Sequence, residues 1–131
     1  MTELRLPLKK KWFNMHQSGE KPEDYREITP YWCSRLLLYN GKHKDRGFWE
    51  RCYLHMFSRE ILKKFFECET IHGITAKKFD FNVMTLGYPK STDNDRVLKY
   101  EHKGIEIGHG KPEWGAEPDK LYFVIKHGKR I

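Results

Sequence analysis

Eight consecutive residues, Gly19-Glu20-Lys21-Pro22-Glu23-Asp24-Tyr25-Arg26, bring an ammonium, carboxylates, a phenol and a guanidinium within reach of one another. The glycine frees the chain from helical geometry, and Pro22 fixes its own φ and biases Lys21 toward an extended conformation. If Asp24, Tyr25 and Arg26 lie on a strand, Asp24 and Arg26 point to one face. Lys21, three residues before Asp24, can close over that face. The expected result is a small, densely charged pocket. Lys21 offers it a point charge and Arg26 a planar fork, both suited to phosphate or a base edge. Tyr25 alternates to the opposite face and is expected in the core.

Other residues could join this chemistry. Lys9, Lys10 and Lys11 sit at a helix start, where the dipole disfavours cations; they face either phosphate or plain solvent. Trp114, in a Pro/Gly-rich loop, is a candidate cleft wall or base-stacking residue, or else a plug over one end of the sheet. Trp12 and Phe13 are expected in the core. Glu106 is a strand carboxylate available for acid–base work if the protein is an enzyme. Cys52-x2-His55 and Cys68-x3-His72 carry zinc-ligand types at a compatible spacing. Each pair is also one helical turn apart, as chance often provides, so no metal and no other cofactor is expected. His16, His43, His102, His109 and His127 are scattered and read as surface or core fillers. No phosphate-binding loop, dinucleotide fingerprint, nucleophile elbow or HExxH zinc helix is present.

The elements that must position these residues are legible from pattern. Leu4, Leu6 and Leu8 alternate with polar residues as a strand, and Pro7 marks it as an edge. Residues 9–18 read as a helix closed by Gly19, and 24–29 as a strand. Thr29-Pro30 caps a helix that continues through Leu38 and ends at Asn40-Gly41. A basic loop at 42–47 precedes a mostly helical 48–57. Ser58 then caps a helix with Ile61, Leu62, Phe65 and Phe66 on one stripe. The last third holds four strand-like segments, around Phe79-Phe81-Val83, Arg96 to His102, Ile105 to Ile107, and Leu121 to Lys126. Among the turn signals between them are Gly87-Tyr88-Pro89 and a polar run at 91–95. Such an order argues for an α+β fold, a small curved sheet or barrel with flanking helices.

At 131 residues the chain suits one domain, and its 15% aromatic content argues against disorder. The formal charge of +7 with interleaved aromatics fits nucleic-acid or nucleotide binding, and equally plain solubility. No run approaches the roughly 20 apolar residues of a membrane span. The N-terminal residues lack the features of a signal peptide, and three cysteines without a framework spacing read as reduced thiols. A cytoplasmic protein, monomeric by default and without membrane contact, is expected.

Gly19-x-Lys21-x-x-Asp24-x-Arg26 resembles the G-x-K-x-x-E-x-R signature of the ASCH domain, with Asp where Glu is common. Lys10-Lys11-Trp12-Phe13, Glu27-Ile28-Thr29-Pro30-Tyr31-Trp32 and the tail from Gly110-Lys111-Pro112 to Tyr122-Phe123-Val124-Ile125-Lys126 are similar to small bacterial and phage ASCH proteins. The likeness covers about 4–40 and 79–128 and leaves out 42–78, read as a mostly helical insertion. It implies a β-barrel similar to the PUA domain that binds RNA or nucleotides in a cleft beside the signature. One branch of the family hydrolyses N4-acetylcytidine with a Lys, a Thr and a Glu. The Lys position matches Lys21, but the Thr position holds Asp24. A carboxylate cannot supply a hydroxyl nucleophile, and Asp24 favours a charged Lys21 rather than a neutral base. Binding of RNA or a nucleotide-like ligand is therefore expected at Lys21, Asp24 and Arg26, with Lys10, Lys11 and Trp114 as accessory contacts. The alternatives are a small hydrolase or ribonuclease using Lys21, Asp24 and Glu106, and a protein-interaction module presenting Phe65 and Phe66.

Overall fold

The computed structural model describes residues 2–68, 72–88 and 94–131; Pro89, the run at 91–93 and residues 69–71 of the central block lie outside them. The chain is mixed α+β. It runs β1 (Glu3–Leu8), α1 (Lys10–Gln17), β2 (Glu23–Glu27), α2 (Pro30–Leu36), β3 (Leu37–Tyr39) and α3 (Arg46–Trp49), which passes into a π-helical stretch (Glu50–Leu54). Then follow α4 (Arg59–Glu67), β4 (Ile74–Ala76), β5 (Phe81–Leu86), β6 (Val97–His109) and β7 (Leu121–Arg130).

Five strands form one sheet in the order β1-β5-β6-β7-β2, with β1 parallel to β5 and the other neighbours antiparallel. The sheet curls into a half-barrel. Its edge strands β1 and β2 do not pair, but Arg26 of β2 donates from Nη2 to the Pro7 carbonyl of β1 at 2.9 Å. A side chain thus bridges a seam that no ladder closes. Pro7 fits there because an edge strand tolerates a missing N–H.

Local chemistry accounts for the elements flanking that seam. In β1, Leu4, Leu6 and Leu8 are buried while Glu3 and Arg5 are exposed. α1 buries Phe13 and His16 and ends before Gly19, whose φ of 80° suits the residue after a helix C-cap. The Thr29 hydroxyl caps α2 by accepting from the Trp32 amide, and Ser58 caps α4 by accepting from Ile61.

Three expectations need correction. The second helix stops at Leu36, and Leu37–Tyr39 pairs antiparallel with Ile74–Ala76. The central block is therefore helical only through α4 and ends in a strand. The two segments expected at 96–107 are one strand of 13 residues, with register shifts between Tyr100 and His102 and between His102 and Gly104. In β5 burial does not alternate: Asn82, Val83, Met84 and Thr85 are all buried, because the strand lies inside the sheet and is covered on both faces. Among the described residues no helix is long and apolar enough to cross a membrane.

Candidate functional site

Lys21 is aimed by its own backbone. Its amide donates to the Met15 carbonyl at 3.2 Å, and its carbonyl accepts from His16 Nδ1 at 2.9 Å, so both groups are tied to α1. The next carbonyl, of Pro22, accepts from the His127 amide of β7 at 3.1 Å. The turn after α1 is thereby fixed to helix and sheet at once.

From this mount the Lys21 side chain enters the seam, where it is only 4% exposed. Asp24 gathers three groups: Arg26 Nε at 2.7 Å, Lys21 Nζ at 3.4 Å and His16 Nε2 at 3.8 Å. The last is too long for a hydrogen bond. Burial alone would push the Asp24 carboxyl up; Arg26 above all, with His16 and Lys21, overrides this and holds it well below the usual carboxylate range. Burial also pulls the Lys21 ammonium down, and it outweighs the raising effect of Asp24. Sequence reasoning saw the Asp24 effect and had no view of the burial.

Lys21, Asp24 and Arg26 form the floor of a cleft of about 440 Å³, with His16 behind them. Trp12, Tyr25, Trp114 and Tyr122 line it, with Lys9, Glu27 and Glu117 among its other residues. Lys21 Nζ lies 5.2 Å from the Trp12 ring centre and 5.4 Å from that of Tyr25, within cation–π range. The Trp114 turn is seated by Gly115, which has a φ of 102° and would drive a Cβ to 2.9 Å from the Trp12 ring. Only glycine allows that loop so close to α1. Tyr25 is half-buried and lines the cleft instead of sitting in the core. Its hydroxyl donates to Glu23 at 2.7 Å and accepts from the Lys111 amide at 3.0 Å, anchoring the Trp114 loop to β2.

No family model, curated protein or solved structure matches this chain.

The structure brings Lys21, Asp24, Arg26 and Trp114 to one cleft and leaves the other candidates elsewhere. Lys10 and Lys11 are exposed on α1 and do not line the cleft, whereas Lys9 does. Lys11 instead lies over the Trp12 ring at 4.7 Å. Glu106 is exposed and pairs with Lys126 at 3.5 Å, also away from the cleft. Cys52 is exposed in the π-helical stretch, Cys68 is exposed at the end of α4, and His72 stacks on Phe65 at 4.2 Å. His55 follows the π-helical stretch, and among the described residues no three His, Cys, Asp or Glu side chains are grouped to hold a metal.

Behind the floor lies a line of polar groups that the sequence did not reveal. His16 and His127 meet edge to face at 4.9 Å. The Asn82 amide donates to the Lys126 carbonyl at 3.2 Å, which fixes its orientation. The same amide then donates to His127 Nδ1 at 2.7 Å, and Asn82 Oδ1 accepts from His102 Nδ1 at 2.7 Å. Burial, with His16 beside it, holds His127 down at about 3. His127 is therefore neutral at physiological pH. In the sequence these histidines are scattered, and nothing in their spacing signals the line.

Proposed function

We propose that the chain is an ASCH-type protein whose half-barrel is PUA-like and binds RNA or a nucleotide-like ligand in the cytoplasm, at the Lys21/Asp24/Arg26 cleft. One observation carries the reading: a buried ammonium, with a single acceptor among the described residues, lies on the floor of a cleft walled by aromatic rings. An ammonium has three donors, and Lys21 directs one to Asp24. Aromatic walls suit the flat face of a base, and charged donors with a carboxylate acceptor suit its edge or its phosphate. Asp24 is held between three cationic or ring-nitrogen partners, which makes it a poor base and a poor nucleophile. It orients Lys21 and Arg26.

A second reading, hydrolysis of a modified nucleoside such as N4-acetylcytidine, draws support from the lowered proton affinity of Lys21. A buried amine shifted this way is suited to proton transfer. Glu106 lies outside the cleft, so such chemistry would rest on Lys21 without it.

Lys21→Met separates the two readings. The wild type should bind short RNA or a nucleotide by titration calorimetry, and the variant should stay folded and lose at least tenfold in affinity. N4-acetylcytidine turnover that disappears in the variant would promote the hydrolase. A wild type with neither binding nor turnover would remove both.

A further inference from the structure

A second hollow, of about 370 Å³, lies beside the β1 edge strand. Arg5 and Pro7 of β1, Tyr31 and Arg35 of α2, and Gly87 and Tyr88 beyond β5 line it. Its electrostatics differ from those of the cleft, where Asp24, Glu27 and Glu117 accompany the cations. Among the described residues, those lining the second hollow include two arginines and no carboxylate. Arg35 donates to the Tyr31 hydroxyl at 3.2 Å and to the Arg5 carbonyl at 3.4 Å, both neutral acceptors. Its charge is left uncompensated by either.

Among the described residues the two hollows have no lining residue in common, but cation–π contacts through Trp32 connect them. The Arg26 guanidinium lies 5.0 Å from the Trp32 ring centre and the Arg35 guanidinium 5.1 Å from it. Arg35 also lies over Tyr31 at 5.8 Å, and Tyr31 meets Trp32 edge to face at 5.2 Å. Pro7, whose carbonyl holds Arg26, lines the second hollow. The series Asp24, Arg26, Trp32, Arg35, Tyr31 therefore runs from the cleft floor across the seam without a break. It ends among exposed rings, with Tyr31 45% and Tyr88 92% accessible. Guanidinium groups with no carboxylate among the described lining residues, beside accessible aromatic faces, are what a single-stranded nucleic acid needs, cations for phosphates and rings for unpaired bases.

We infer that this hollow is a second subsite for single-stranded RNA. With one nucleotide in the cleft, the backbone crosses the seam at Arg26, a phosphate meets Arg35 and Arg5, and the neighbouring base stacks on Tyr31 or Tyr88. The inference rests on the cleft being the first subsite, and it names an oligonucleotide rather than a free nucleoside as the ligand.

Oligouridylates of one, two, four and eight nucleotides, titrated into wild type, Arg35→Gln, Tyr88→Ser and Lys21→Met, test it. Tyr88 is so exposed that its replacement leaves folding intact. In the wild type the tetranucleotide should bind at least tenfold more tightly than the mononucleotide, about the worth of one base–aromatic stack. Arg35→Gln and Tyr88→Ser should each remove much of that gain and leave mononucleotide affinity unchanged. Arg35→Gln should also flatten the dependence of log K on log salt by about 0.7. Affinity independent of length, or a gain that survives both substitutions, overturns the second subsite while the cleft reading stands. Oligonucleotide binding weakened by Arg35→Gln but indifferent to Lys21→Met would put the RNA at this hollow alone, and would overturn both the cleft reading and the two-subsite path. Failure of every length to bind the wild type removes both.

Discussion

The seam of the half-barrel and the helical block between β3 and β4 bury their side chains by opposite means. In the block, Phe48, Trp49, Tyr53, Phe57 and Phe65 pack ring against ring, with centroids 5.1 to 6.2 Å apart. Such contacts are tolerant, because offset and edge-on geometries are nearly equal in energy. At the seam, Lys21, Asp24 and His16 are buried, and the Asp24 carboxylate is matched by Arg26 and Lys21. Apolar residues of similar size commonly do as well or better for stability than a buried ion pair. A cluster of this kind is better understood as a device for holding charge ready than as a source of stability.

The comparison breaks most sharply at Asp24. Asp24→Ala leaves the Lys21 ammonium buried without an anion, and urea denaturation should show a loss of about 3–5 kcal/mol. A loss below about 1 kcal/mol would mean the seam is as tolerant as the block. The next effect is on pH dependence. The folded-state value of His127 is depressed to about 3, below the unfolded value of roughly 6.5. Between these limits the unfolded chain binds a proton that the folded chain refuses. Stability should therefore be complete above pH 6.5 and fall by a few kcal/mol as the pH drops toward 3. His127→Asn, which keeps an acceptor for Asn82, should flatten that slope in denaturation curves taken at several pH values. The smallest effect belongs to the block. Trp49 is fully buried and its indole N–H has no partner among the described residues. In Trp49→Phe the small cavity is set against removal of a buried donor, so the unfolding free energy from urea denaturation should change by no more than about 1 kcal/mol.

Local signals carried much of the fold into the sequence. Alternating leucines marked β1, Thr29-Pro30 and Ser58 marked two helix starts, and the spacing of Lys21, Asp24 and Arg26 placed three charges on one face. Long-range pairing erased other signals. Leu37-Leu38-Tyr39 continues a helical pattern, and only its partner 74–76, more than thirty residues on, turns it into a strand. Tyr25 obeys the alternation of a strand but belongs to an edge, and its outward face becomes the wall of a cleft once the Trp114 loop arrives. The histidine line was the least legible part. His16, His102 and His127 come from α1, β6 and β7, and only the sheet register brings the last two beside Asn82.

An open sheet has two free margins, and free margins invite foreign strands to add to them. Here the margins confront one another across a guanidinium, and one of them carries a proline that cannot donate. Between them they present no continuous template for self-association. Leaving the barrel unclosed thus need not make the molecule sticky.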